Sequence, residues 1–326
     1  MSVSSPTFLP LDDVVYGEAV QVAPDVRRVI AENPSKFTYR GTGTYIIGSG
    51  DVVVIDPGPR LDSHRDALAA ALKGERVRAI LITHCHADHS PLSEWLKAET
   101  GAPTFAVGPH ETVDEPEGMF EGEEELAVPP DPSEEKDEDE VKMEESTDVD
   151  FVPDERVVDG EIVVDSKDLT MRAVTTPGHT ANHCCFSLEQ SSSLFTGDHI
   201  MGWSTTVVSP PDGSMTAYIE SLHKVADRAD ATLWPTHGPP RTDGAEYSRA
   251  LVEHRLQRER QVLSFIDEHG PSTVPEIVRV LYAEVNPHLH RPAARSVLSH
   301  LIKLVDEGQV HVADGGAIRI AAAFAR

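Results

Sequence analysis

The stretch Thr83-His84-Cys85-His86-Ala87-Asp88-His89 decides the reading of this chain: four side chains with strong metal affinity fall within six positions. It follows Val77-Arg78-Ala79-Ile80-Leu81-Ile82, an apolar run that reads as a buried strand. It precedes Ser90-Pro91, a pair that predicts an N-cap and the first position of a helix. The cluster is thus placed on a loop between a strand end and a helix start, where α/β sheets carry their chemistry. His84 and His86, two apart, can turn to one point only on extended or turning backbone. Asp88 and His89 then point elsewhere, which predicts a second metal beside the first. Imidazole nitrogens suit zinc, and a carboxylate can complete the shell. A surface loop rich in histidine by chance is the competing reading, and further candidate ligands downstream oppose it.

Working outward, each of those candidates follows a short β-rich run. His179 comes after the run 169–175 and Thr176-Pro177-Gly178, Asp198 after 193–196 and Gly197, and His237 after 232–234 and Pro235-Thr236. A glycine beside each lets the backbone bend sharply and approach closely. Seven ligands can therefore converge from four strand-end loops. Upstream, the runs 44–48 and 52–56 are joined by Gly48-Ser49-Gly50-Asp51, a hairpin connection. A helix is predicted over 63–73, with Ala67, Leu68, Ala71 and Leu72 on one face. Further elements are predicted over 91–100 (helix), 104–107 (strand), 157–164 (strand, turn, strand) and 184–188 (strand). A helix carrying Met215, Tyr218, Ile219, Leu222, Val225 and Ala226 follows the cap-like Asp212-Gly213-Ser214.

The 326 residues, 39% of them hydrophobic, allow one large or two modest domains with a real core. The formal net charge of −27 is concentrated: residues 111–155 hold 21 Asp/Glu and two Lys, which leaves only about −8 elsewhere. Within this region 111–152 has few apolar residues to offset the entropy of ordering. It reads as a disordered or loosely held acidic insertion, dispensable for folding. From about 245 the chain turns helix-rich, with helices predicted at 246–268, 273–282 and 293–307. Two β runs at 309–312 and 317–320 complete a winged-helix outline. Residues 246–326 carry 10 Lys/Arg and 10 Asp/Glu. A nucleic-acid reader shows a basic excess, so a dimerisation module or a lid over a substrate pocket is preferred for this tail.

The first 26 residues have no Lys, Arg or apolar h-region, and no run approaches the roughly 20 apolar residues of a membrane span. Cysteine occurs only as Cys85, Cys184 and Cys185, an odd number with two adjacent, which argues against a disulfide framework. The expectation is a soluble, cytoplasmic protein with no membrane contact; a homo-oligomer stays open.

The pattern His84-x-His86-x-Asp88-His89, then His179, Asp198 and His237, resembles the metallo-β-lactamase superfamily over about residues 40–240. The resemblance implies an α+β chain: an αβ/βα sandwich over 1–244 followed by a small winged-helix domain over 245–326. It implies two zinc ions, one held by His84, His86 and His179, the other by Asp88, His89 and His237, with Asp198 bridging both. Asp56, in Ile55-Asp56-Pro57-Gly58, matches a position the family uses to hold the metal loop. The implied catalytic set is Asp88, His84, His86, His89 and Asp198. Two metals roughly 3.5–4 Å apart can lower the pKa of a water to about 7, so no Ser or Cys nucleophile is required, and Asp88 can orient that water.

The run Gly202-Trp203-Ser204-Thr205-Thr206-Val207 and the tail look like the β-lactamase-like protein 2 group; Thr205 and Thr206 in it are candidates either to support the ligands from behind or to line the substrate site. That group includes a single-strand-specific endoribonuclease and similar fungal thioesterases that release polyketides from acyl carrier proteins. Glyoxalase II-type thioesterases share the seven ligands but not the tail. True metallo-β-lactamases usually lack the bridging Asp, so Asp198 argues against antibiotic hydrolysis. Two departures stand out: Cys85 replaces an aromatic residue, and the acidic insertion has no counterpart.

Other groups have bland readings beside functional ones. Cys85 is expected to pack beneath its loop rather than bind metal, and Cys184-Cys185 to pack in a core strand. His183 either supports the ligands and faces substrate or makes a structural hydrogen bond. His199 is expected not to be a ligand, and His288 and His290 to lie on the surface. Asp56 is expected behind the ligands, fixing a histidine. Three functions follow: hydrolysis of a small acyl thioester or ester, cleavage of single-stranded RNA (disfavoured by charge), or non-catalytic binding on a decayed fold, which the intact ligand set opposes.

Overall fold

The computed structural model describes residues 6–11, 13–111, 115–128 and 146–326. Strands β1 (Val20–Ala23), β2 (Val26–Ile30), β3 (Gly43–Ser49), β4 (Asp51–Ile55), β5 (Arg76–Leu81), β6 (Thr104–Ala106) and β7 (Glu155–Arg156) form one sheet in that order. Neighbours pair antiparallel as far as β4 and parallel beyond it. A second sheet runs β12-β11-β10-β9-β8, built from β8 (Ile162–Asp165), β9 (Thr170–Thr175), β10 (Cys184–Leu188), β11 (Ser193–Gly197) and β12 (Thr232–Pro235). Only β11 and β12 are parallel in it.

Period-two alternation decides how the sheets stack. Tyr45, Ile47, Val53 and Ile55 face Met171, Ala173, Cys184, Phe186 and Phe195 in a core between the sheets. The intervening Ile46, Val52 and Val54 face outward onto α1 (Asp62–Ala71) and α2 (Ser93–Thr100) through Leu68 and Leu96. On the far side Val174, Cys185 and Leu194 pack under α3 (Met215–Arg228) and α4 (Gly244–His269). Each fully buried Phe or Ile contributes about 1.5–3 kcal/mol. The Tyr45 hydroxyl donates to the Pro235 carbonyl at 2.7 Å, tying β3 to the end of β12. This is the αβ/βα sandwich expected.

The winged helix follows: β13 (Ser272–Thr273), α5 (Val274–Leu281), α6 (His290–Asp306), β14 (His311–Val312) and β15 (Ala323–Ala325). Thr273 and Glu276 form a capping box at the start of α5. The partner of β14 is β15, not the expected run 317–320. Ile320 instead inserts fully buried into the core, and its N–H donates to the Met119 carbonyl. Helix α4 contributes Tyr247 and Leu251 to the sandwich and Val262, Phe265 and Ile266 to the winged-helix core, so one helix belongs to both bodies.

Two further expectations are corrected. Helix α2 starts at Ser93 behind Leu92, not at Ser90-Pro91. The backbone is still turning there, with the Ser90 N–H on the His86 carbonyl, and the Ser90 hydroxyl donates to Asp148 Oδ2 at 2.7 Å. The stretch 111–152 is not loose at its two ends. Residues 115–128 pack onto the winged helix through Met119 and Leu126. Beyond them, Thr147 bridges to His86, the Asp148 N–H donates to the Cys85 carbonyl, and Phe151 is buried. Residues 112–114 and 129–145, with the acidic run 134–140, lie outside the described residues. Leu126→Ala is therefore expected to destabilise the protein by about 2–5 kcal/mol, read by urea unfolding; a change below about 0.5 kcal/mol would refute the packing. Among the described residues no helix is long and apolar enough to cross a membrane.

Candidate metal centre

The loops leaving β4, β5, β9, β11 and β12 meet at one edge of the sandwich. His84 Nε2 lies 2.9 Å from His86 Nδ1, which lies 3.1 Å from His179 Nε2. Asp88 Oδ2 lies 3.3 Å from both His89 Nε2 and His237 Nε2. Asp198 reaches both sets: Oδ1 is 3.5 Å from His89 Nε2 and 3.4 Å from His237 Nε2, and Oδ2 is 3.9 Å from His179 Nε2. The seven residues named from sequence are brought together, and they divide into groups suited to holding cations.

The far nitrogens explain the orientation. His179 Nδ1–H donates to the Val207 carbonyl at 2.7 Å, His237 Nδ1–H to the Gly41 carbonyl at 3.2 Å, and His89 Nδ1–H to Asp56 Oδ2 at 2.9 Å. Each donation points Nε2 at the centre. Asp56 also accepts from the Thr83 N–H at 2.8 Å, the Thr83 hydroxyl at 2.7 Å and the Thr236 hydroxyl at 3.3 Å. It sits behind the ligands and fixes their loop. Glycine sets the close approaches: at Gly178 (φ 142°) a Cβ would fall 2.4 Å from Tyr218 Cα, and at Gly197 (φ 51°) 2.8 Å from His183 Nε2.

The charge balance favours a cation. Burial, and then the neighbouring imidazoles, push His84 well below the usual histidine range and His86 down to about 3, so both stay neutral donors of a lone pair. Burial disfavours charge on His89 and His237, but the carboxylates win. His89 is held well above the usual range by Asp88, Asp198 and Asp56, and His237 is raised to about 10 by Asp198 and Asp88. Burial likewise opposes ionisation of Asp88 and Asp198, and His89 and His237 outweigh it, keeping both carboxyls well below the usual range. His89 Nε2 and Asp198 Oδ1 are buried and have no hydrogen-bond partner among the described residues. Two ionised carboxylates that draw positive charge to the centre, the neutral rings of His84 and His86 and these orphaned atoms fit divalent metal.

A cavity of about 370 Å³ opens over the centre. Phe37, Phe120, Met201, Val207 and Pro211 give it apolar walls, and the winged helix closes one side with Arg291 and Arg295. His183, Thr205 and Thr206 do not line it. The segment after Asp198 turns Thr206 inward: its hydroxyl donates to the Asp198 carbonyl at 2.7 Å and Arg255 donates to its carbonyl, while Thr205 is half-buried. His183, held neutral by burial and by His199 and His179, accepts the Asp198 N–H at 3.3 Å. It thus holds the backbone of Asp198 from behind the centre and does not face the cavity. His199 packs on Tyr218, away from the ligand groups. Cys85 is buried; burial pushes its thiol up to about 12, and Asn182 donates to its sulfur at 3.2 Å. His288, expected on the surface, is exposed but lines the cavity mouth.

Several site residues escape the sequence reading. The Thr42 hydroxyl donates to Asp88 Oδ2 at 2.8 Å. Lys36, Glu123, Arg291 and Arg295 reach the cavity from segments far apart in sequence. The one local signal among them is the Arg291/Arg295 spacing, which puts both on one face of a helix.

A four-layer sandwich that gathers such a His/Asp set at its strand ends, under a winged helix, defines a class of metal-binding hydrolase. Residues 39–237 match the metallo-beta-lactamase superfamily and residues 273–317 the beta-lactamase associated winged helix domain; the chain belongs to the metallo-beta-lactamase superfamily and is a hydrolase of it. It is similar to a beta-lactamase-like protein 2 homolog of Caenorhabditis elegans, 29% identical over 92% of this chain and 91% of that one. It is also similar to an atrochrysone carboxyl ACP thioesterase of Aspergillus chevalieri, 30% identical over 92% and 86%. The crystal structure of a beta-lactamase domain protein from Burkholderia ambifaria shares the fold, with a TM-score of 0.73 over 98% of each chain at 22% identity.

Proposed function

We propose that this hydrolase is a binuclear zinc enzyme acting on acyl thioesters or esters. The observation that carries the reading is the cavity: the His/Asp centre forms part of the wall of a compact space, about 370 Å³, lined by Phe37, Phe120, Met201 and Val207. Such a volume suits a small acyl group. The similarity to a protein named as an acyl carrier protein thioesterase supports it. His84, His86 and His179 would hold one zinc, Asp88, His89 and His237 the other, and Asp198 both. When bound, such a pair supplies Lewis acidity and a water of lowered pKa.

The chain's own groups do the rest. Thr42 fixes Asp88 through Oδ2, so that its carboxylate can accept a hydrogen bond from the attacking water and orient it. Asp56, Val207 and Gly41 hold the rings of His89, His179 and His237 from behind. The apolar walls exclude bulk water and strengthen the field inside. We place the protein in the cytoplasm, on three unpaired and buried cysteines, and take a small acyl compound as its partner in preference to RNA.

One experiment tests the reading. Purified full-length protein is assayed against hexanoyl-N-acetylcysteamine, bis-p-nitrophenyl phosphate and single-stranded RNA at about 0.15 M salt, with elemental analysis of the same sample. Thioester turnover and two zinc-class ions per folded chain are expected. Efficient RNA cleavage that disappears in Asp198→Ala, or one ion or none in folded protein, would overturn it.

A further inference from the structure

The cavity wall contributed by the winged helix carries charge that hydrolysis does not use. Glu123 is 4% exposed, and both its oxygens are occupied. Oε1 accepts from Arg295 Nε at 2.8 Å, and Oε2 accepts from Arg291 Nη2 at 3.0 Å and Arg295 Nη2 at 3.2 Å. Arg295 also lies 4.8 Å over the Phe120 ring. That clamp ties 115–128 to α6 and accounts for Arg295.

It does not account for Arg291. This side chain is 53% exposed and adds one N–H to a carboxylate that Arg295 already satisfies on both oxygens. Arg291 is thus the guanidinium of the pair with N–H groups left over on an exposed side chain. Lys36, from the loop before β3, lines the same cavity. It forms no ion pair among the described residues, and its close neighbour is the Phe37 ring at 4.8 Å. Two further carboxylates away from the metal centre line the cavity: Asp212 accepts from the Ala181 N–H at 3.0 Å and faces His110 at 3.9 Å, and Glu115 is exposed.

We propose that the cavity selects acyl substrates carrying an anionic group, carboxylate or phosphate, remote from the bond to be cleaved, and that Lys36 and Arg291 hold that group. The inference rests on the acyl-hydrolase reading. It gives the winged helix a specificity role: Lys36 comes from the sandwich and Arg291 from the second domain, and the apolar walls receive the body of the ligand. The planar guanidinium can grip either anion through two N–H groups, while the ammonium supplies a point charge.

Titration calorimetry on the metal-loaded full chain tests this without turnover. Pentanoate, glutarate and 3-phosphonopropionate share one carboxylate and differ in the far group. At least one of the two doubly anionic probes should bind about tenfold tighter than pentanoate, and the tighter of the two identifies the anion. Arg291→Ala and Lys36→Ala should each lose most of that preference. Arg291→Lys should keep more of it than Arg291→Ala, which separates lost charge from damage to the fold. Equal affinity for all three probes, or a preference that either alanine variant leaves unchanged, overturns the proposal. So does a single-stranded RNA decamer that displaces glutarate from the wild type and not from Arg291→Ala. The preference without turnover of any thioester would remove the acyl-hydrolase reading and leave the anion subsite standing; thioester turnover without the preference would do the reverse.

Discussion

Asp198→Ala is expected to lower kcat/KM by about a thousandfold or more on whichever substrate is turned over, while the protein stays folded. Its carboxylate faces both ligand sets, within 3.5 Å of His89 and His237 and 3.9 Å of His179. In metal-free protein the truncation also takes a carboxylate from beside the raised imidazoles of His89 and His237. Its backbone anchors, to His183 and Thr206, survive the change. The backbone around the site is therefore kept and the loss falls on the centre. His183→Ala makes the informative comparison. That ring hydrogen-bonds the backbone of Asp198 and the Thr176 hydroxyl and packs beside the His84 ring, so its loss should cost about ten- to a hundredfold. Steady-state kinetics and elemental analysis on both variants check this. Asp198→Ala within tenfold of wild type, at full metal content, would falsify the shared role of Asp198.

What the sequence shows of this molecule depends on how locally each feature is encoded. The metal loop is legible because four ligands sit in one stretch, and Asp198 and His237 because each ends a β-rich run beside a glycine. The sandwich is legible because Tyr45 and Ile47 alternate with Ile46, and Val53 and Ile55 with Val52 and Val54. The strand β15 is not. Ala321-Ala322-Ala323-Phe324-Ala325 has little β propensity, whereas 317–320 alternates, and only the fully buried Phe324 and Ile320 reveal which run pairs and which inserts. The acidic stretch misleads for a related reason. Three of its few apolar residues, Met119, Leu126 and Phe151, are buried, and the partners of Glu123 lie 168 and 172 positions away. Composition averages over such residues. An ion pair of that sequence separation leaves no local trace.

Asp56→Ala is expected to be the most destabilising change near the centre, at about 3–5 kcal/mol even in metal-free protein. Asp56 is 0% exposed, and its carboxylate accepts four hydrogen bonds, from the Thr83 N–H, the Thr83 and Thr236 hydroxyls and His89. Truncation leaves these donors buried without an acceptor, and each costs about 1–3 kcal/mol if nothing replaces it. Asp56 also holds φ at 48°, a left-handed conformation that alanine adopts less readily than Asp or Asn. Asp56→Asn separates the two effects. It tolerates that backbone and keeps one acceptor oxygen, but turns an NH₂ toward groups that are themselves donors. Its stability should fall between wild type and Asp56→Ala, while metal affinity drops about ten- to a hundredfold as His89 loses its orienting partner. Urea unfolding of chelator-treated protein isolates the hydrogen-bond contribution, and competition with a chromogenic chelator reads the affinity. If Asp56→Ala costs metal-free protein less than about 1 kcal/mol, the network does not hold the loop. The convergence of His84, His86, Asp88 and His89 would then have to come from the bound metal rather than from the fold.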